Sequence, residues 1–204
     1  MMKDFQTINP FEKVLIPVLF LLAISVSGIA PTDRLTWFLE VFPAIIGFIV
    51  FTVTYSKFQF TRFTYWILLI HAMILLIGGY YTYANVPFFN WISAIMGWSR
   101  NNYDKVGHFF QGFTPAIVSI QILSRTVGIK SRKWIAFLSV CVCLAISASY
   151  ELLEWGVSIL TGSKGDAFLG TQGYIWDTQS DILFALIGAC VGIFRFSLKG
   201  VLRK

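Results

Sequence analysis

Charge is what this chain has least of. Only 13% of its 204 residues are Asp, Glu, Lys or Arg, against about 25% in an ordinary soluble domain. That shortage argues against a soluble globular fold. Histidine is scarce too. His71 and His108 are the two in the chain, and no H-E-x-x-H, E-x-x-H or multiple-His pattern occurs, so the usual zinc-hydrolase signatures are missing. The three cysteines, Cys141, Cys143 and Cys190, form no C-x-x-C and no paired framework. The C-x-C spacing in a helix points its two side chains well apart, so these cysteines read as packing residues. There is no internal repeat and no low-complexity tract, and the connections between apolar blocks are too short to form a soluble domain.

What the chain does have is apolar residues, 56% of the total, gathered into blocks at 14–30, 35–56, 65–84, 106–123, 134–160 and 182–196. A bilayer-spanning helix needs roughly 20 mostly apolar residues, with a range of about 17–25. Five blocks reach that once flanking polar residues are counted into the helix ends, and the first is short. The pattern predicts an all-α polytopic bundle of about six spans, forming a single integral membrane domain over 1–204.

The net charge of +6 is a matter of topology rather than of nucleic-acid binding. With the N-terminus inside, the inner segments hold Lys3, Lys13, Lys57, Arg62, Arg125, Lys130, Arg132, Lys133, Arg195, Lys199, Arg203 and Lys204, and the outer segments hold Arg34, Arg100, Lys105 and Lys164. This positive-inside bias predicts that both termini are cytoplasmic. A basic start, an apolar core and "SVSGIA" also fit a cleaved signal peptide. Cleavage would leave five spans and break the match with the charge bias.

Three outer connections follow. Residues 31–34 make a tight turn. In "NVPFFNWISAIMGWSRNN", Phe88, Trp91, Ile92, Ile95 and Trp98 recur at helical spacing, which predicts a short interfacial helix near 86–98. In "TGSKGDAFLGTQGYIW", glycines at 162, 165, 170 and 173 argue against regular helix. Phe168, Leu169, Tyr174 and Ile175 predict an ordered outer loop over 161–176 that folds back on the helix ends.

The acidic residues run against the basic ones. Asp4 and Glu12 fall inside; Asp33, Glu40, Asp104, Glu151, Glu154, Asp166, Asp177 and Asp181 fall toward the outside. Acidic residues contribute little to topology, so orientation does not account for this clustering. At 100° per residue, Asp104, His108, Gln111 and Pro115 share one face of span four within about 60°. Ser147, Glu151, Glu154 and Ser158 share a stripe on span five, with Glu151 about 26 Å along the helix from Trp134. Asp177 and Asp181 lie one turn apart at the start of span six, above the G-x-x-x-G of Gly188 and Gly192, a spacing that lets another helix approach closely. Glu40 lies within two turns of the start of span two. Four spans thus carry carboxylates at one depth.

A carboxylate inside a span costs roughly 2.5–3.5 kcal/mol at the centre and less near an edge, and such residues usually face a cavity or a partner. The predicted arrangement is a bundle packed tightly in its inner half and opening outward into an acidic pocket. Asp104 and Asp177 can equally be helix caps. Lys105 can simply pair with an acidic neighbour, and His71, without acidic company, reads as structural. For the pocket there are two chemistries. Oxygen-rich ligands with one His suit Mg²⁺, Mn²⁺ or Ca²⁺ rather than Zn²⁺. Alternatively, crowded carboxylates leave one protonated beside a base, which suits acid–base catalysis or a proton relay. The catalytic candidates are His108, Glu151 and Glu154; Asp104, Asp177 and Asp181 are candidates for holding substrate or metal; Gln111, Glu40, Asp166 and Gln172 are possible contributors.

The segments "RNNYDKVGHFFQGFTPAI", "SYELLEW" and "GDAFLGTQGYIWDTQSDILFALIGA", in a six-span layout, resemble the YjdF family of bacterial inner-membrane proteins, whose function is uncharacterised. The likeness covers nearly the whole chain and implies a multi-pass protein of the bacterial inner membrane. Where the chain has Tyr174 the family usually has Asp, so Tyr174 is assigned no role. More distantly, "DKVGH", Glu151, Asp177 and Asp181 resemble the VanZ-like family, associated with glycopeptide-antibiotic resistance and the cell envelope. Neither resemblance supplies a reaction; both imply a common site. The expected function is action on an envelope lipid or lipid-linked substrate by metal-assisted or acid–base hydrolysis or transfer. A proton- or cation-coupled transporter and a non-catalytic assembly partner are the alternatives.

Overall fold

The computed structural model describes residues 6–162, 168 and 170–198. Among these residues there are seven helices: α1 (Pro10–Ser27), α2 (Arg34–Thr54), α3 (Arg62–Tyr80), α4 (Pro87–Met96), α5 (Tyr103–Arg125), α6 (Arg132–Thr161) and α7 (Asp177–Leu198). All except α4 are long and apolar enough to cross a membrane. The six spans anticipated from the apolar blocks are therefore present, each starting in its polar N-terminal flank.

Local chemistry sets the helix ends. Asn9 and Glu12 form a reciprocal capping box before α1, with Pro10 in the first turn, satisfying N–H groups that the helix leaves open. Asp33 accepts from the Thr36 N–H at 2.7 Å to start α2, and its carboxyl is held below the usual value by that backbone bond. Thr61 and Ser131 cap α3 and α6 in the same way. Gly97, at φ 66°, ends α4 in the left-handed conformation that glycine adopts without strain. Phe88, Trp91 and Ile95 of α4 are exposed while Ser93 is buried and donates to the Arg100 carbonyl. This is the short apolar-faced helix expected near 86–98.

The bundle is built around α5. It packs most extensively on α7, then on α6 and α3; α3 in turn carries α2 and α1. Two glycines make the α5–α7 contact possible. A Cβ on Gly112 would overlap the Ala185 carbonyl, and one on Gly188 would overlap the Phe109 carbonyl. Gly192 lies against Phe113 and Ala116. The G-x-x-x-G of α7 therefore meets α5, with Gly112 answering from the other side. Below this contact sits an apolar cluster of Phe113, Ile117, Ile120, Ile135 and Phe196. At the far end of the bundle Gln121 donates to Thr64 Oγ1 at 2.6 Å and accepts from the Thr61 N–H at 2.9 Å, tying α5 to α3. Buried Glu12 accepts from Arg62 and Trp66 and ties α1 to α3. Cys141 and Cys190 are exposed and Cys143 is buried, all as free thiols.

The starts of α2, α5 and α7 and the ends of α1, α3 and α6 share one end of the bundle. At that end the Thr32 N–H donates to the Tyr80 carbonyl. Buried Tyr83 wedges its ring between Gly78 of α3 and Gly107 of α5. Phe168, from the connection between α6 and α7, is also buried, its ring centroid 6.1 Å from that of Tyr150.

Candidate functional site

The carboxylates predicted at one depth are brought to this same end. Asp104 and His108 come from α5, Glu151 and Glu154 from α6, Asp177 and Asp181 from α7, and Glu40 from α2. Asp104 is partly buried and the other six are at most 7% exposed. The four helices converge because α5 lies against α6 and α7, and α3 bridges it to α2.

His108 is the hub. Its Nδ1 is 3.0 Å from Gln111 Oε1, one turn on along the same helix. Its Nε2 is 3.3 Å from Asp104 Oδ1, 3.6 Å from Glu151 Oε1 and 3.8 Å from Asp181 Oδ1. With the Gln111 oxygen accepting, the Nδ1 proton is held away from the acids. Nε2 is then the nitrogen available for proton exchange or for a ligand. Ligand atoms of Asp104, His108 and Asp181 all lie within 4.8 Å of one another, a spacing that can hold one metal ion. Its donors, two carboxylates and one imidazole, suit Mg²⁺ or Mn²⁺.

Two cations enter the acidic group. The Lys105 ammonium donates to Asp181 at 2.5 Å, to Asp177 at 2.7 Å and to Asp104 at 3.4 Å. Arg100 donates through Nη1 to Asp177 at 2.5 Å. Asp177 is thus bridged by two cations and stands outside the metal-spaced group. The carboxylates at this end are buried and ion-paired, because buried carboxylates at this density need counter-charges. Asp104 and Asp177 direct their carboxylates at these cations and at His108, beyond any capping role. Lys105 pairs with acidic neighbours, as expected.

A second group lies beside the first. Glu40 Oε2 accepts from the Tyr150 hydroxyl at 2.9 Å, which joins α2 to α6. Glu154 is buried one turn from Tyr150 on α6. Gln172 has no hydrogen bond to the acids among the described residues. Its amide pairs both ways with the Asn101 backbone, accepting and donating at 2.9 Å, and anchors the segment before α7 to the start of α5. Asp166 lies outside the described residues.

Arg100 and Tyr150 were not among the residues singled out from the sequence. Arg100 lies in the connection before α5, so no helical spacing announces its ion pair with Asp104, and its link to Asp177 depends on which helix lies beside α5. The Tyr150–Glu40 bond likewise depends on α2 and α6 meeting.

A sequence model of the family described as "Predicted membrane protein (DUF2238)" matches residues 13–199. The chain belongs to this family. It is also 49% identical over 163 residues to the "Inner membrane protein YjdF" of Escherichia coli (strain K12), covering 80% of this chain and 78% of that protein. The family resemblance drawn from the three quoted segments is therefore correct, and the six apolar spans with this relative make the chain a multi-pass protein of the inner membrane. Neither match carries the likeness to the VanZ-like family. No solved structure matches the chain.

Proposed function

We propose that this protein is an inner-membrane enzyme that acts on an envelope lipid or lipid-linked substrate by hydrolysis or group transfer. The observation that carries this reading is His108, whose Nε2 lies within 3.8 Å of carboxylates from three helices while Gln111 engages its Nδ1. A relay of protons needs one imidazole nitrogen oriented and the other facing an acid or base within short reach. In this reading His108 and Glu151 exchange protons, Glu154 supports them, and Asp104 and Asp181 hold the substrate or a divalent cation. Either use of Asp181 requires Lys105 to shift or the second carboxylate oxygen to be used. Asp177 keeps Lys105 and Arg100 in place. The positive-inside bias predicts this end of the bundle on the outside, at the depth of lipid headgroups.

The test is an envelope-lipid profile and growth phenotype of a deletion strain complemented with single variants. His108→Ala, Glu151→Gln and Asp181→Asn are each expected to fail to complement while reaching wild-type levels in the membrane. Full complementation by all three would sink the enzyme reading. Metal content of the purified protein, with and without Asp104→Asn, decides between cation-assisted and metal-free chemistry.

One observation favours a second reading, a proton-coupled transporter. Below Glu151, Ser147, Cys143 and Ser139 continue the same stripe of α6, all fully buried, and both serine hydroxyls lack a hydrogen-bond partner among the described residues. Proton-gradient-dependent flux in proteoliposomes, lost in Ser147→Ala, would favour it.

A further inference from the structure

The Arg100 guanidinium presents two edges with different surroundings. On one, Nη1 donates to Asp177 at 2.5 Å and to the Thr171 carbonyl at 3.4 Å. On the other, Nε and Nη2 are buried and have no hydrogen-bond acceptor among the described residues. Asp104 forms a loose ion pair with this edge, its Oδ2 3.7 Å from Nη2, beyond hydrogen-bonding distance. The side chain is 9% exposed. Burying such donors without an acceptor is unfavourable, so this edge favours a bound oxygen acceptor.

The geometry of the open edge is specific. Nε and Nη2 form the planar side-on fork of arginine, which matches two oxygens of one oxyanion. The fork is also held in place. Nη1 is pinned by Asp177, the Tyr174 ring lies 5.5 Å from Cζ, and the Gln172–Asn101 amide pair clamps the segment that carries Tyr174. Lys105 offers no comparable donor, since its ammonium already has three carboxylate partners.

We infer that the Nε/Nη2 edge of Arg100 binds a phosphate group, and that the substrate of the proposed reaction is therefore a phosphate-bearing one. The inference rests on the enzyme reading for the word substrate, but the binding itself does not. Asp104 stands between this fork and His108, so a phosphate on Arg100 adjoins the group assigned to the chemistry. Trp91 and Trp98, exposed on and just after the nearby α4, are the residue type that marks headgroup depth. The Asp104 carboxylate opposes an incoming anion and weakens its binding.

The test is calorimetric titration of the full-length protein in uncharged detergent with a chelator present. Inorganic phosphate and decyl phosphate are the probes, and an uncharged decyl glycoside is the control. Decyl phosphate is expected to bind the wild type and the glycoside is not. Arg100→Lys keeps the charge but loses the fork, and is expected to weaken phosphate binding at least about tenfold. Asp104→Asn removes the opposing charge and is expected to tighten it. Inorganic phosphate binding as well as decyl phosphate would assign the site to the free anion; preference for decyl phosphate would assign it to a headgroup. Equal affinities in the wild type, Arg100→Lys and Asp104→Asn would overturn the inference. If Arg100→Lys does not fold, absence of tightening in Asp104→Asn overturns it alone. Fork-dependent binding together with full complementation by His108→Ala, Glu151→Gln and Asp181→Asn would remove the enzyme reading and leave the binding site standing.

Discussion

Lys105 has three carboxylates, Asp104, Asp177 and Asp181, within 3.4 Å of its ammonium. A pair buried this completely gains little against an apolar replacement of both partners, but removing one partner strands the other's charge. Lys105→Ala is expected to destabilise the protein by about 3–5 kcal/mol, read as a lowered unfolding midpoint in detergent. The double variant Lys105→Ala with Asp181→Asn is expected to recover part of that loss, since one stranded charge is gone. A loss below about 1 kcal/mol, the range of exposed pairs, would show that water reaches the cluster. Arg62 and Glu12 make the contrast. Their 2.6 Å contact has Arg62 53% exposed, so Arg62→Ala should cost less. His108 was legible from the sequence because it shares a helix face with Asp104. Arg100 was not, because its strongest partner is on another helix 77 positions away.

At the scale of helices, α5 and α7 are held at backbone contact by Gly112 and Gly188. Gly112→Ala and Gly188→Ala each place a methyl into a facing carbonyl and are expected to cost about 1–3 kcal/mol, the range for overpacking. Gly156 of α6 has open space where its Cβ would be. Gly156→Ala is therefore expected to be neutral or stabilising by up to about 1 kcal/mol, through helix propensity alone. Unfolding midpoints of the three variants check the pattern, and equal effects at all three positions would contradict the close approach. Because α5 and α7 both carry site residues, a forced separation should also shift Lys105 away from Asp181. Gly188 and Gly192 announced themselves by their spacing, whereas a lone Gly112 in "FFQGFTPA" has none. Only the partner helix's register gives it meaning.

For the whole molecule, the charge bias predicts which end faces the cell exterior. Asn85, exposed in the turn between α3 and α4, belongs to the end that carries the acidic group; Lys57, exposed between α2 and α3, belongs to the other. In a background with Cys141 and Cys190 changed to Ser, Asn85→Cys should react with a membrane-impermeant thiol reagent in cells whose outer membrane is permeabilised. Lys57→Cys should react only after the inner membrane is broken. The reverse result would turn the site to the cytoplasm and remove the argument for an envelope substrate.

The amino-acid sequence by itself determined the membrane bundle, its six spans, and the common depth of Glu40, Asp104, His108, Glu151, Glu154, Asp177 and Asp181. Those properties follow from hydropathy, helix length and rise per residue, all of which are local. The tertiary structure decided how the acidic end is neutralised. It did so by placing Lys105 and Arg100 among carboxylates of α7 and by joining Glu40 to Tyr150 across α2 and α6. The physical reason is that ion pairing is short-ranged and depends on which helix faces which. A single helix's periodicity carries its own face but not the identity of its neighbour.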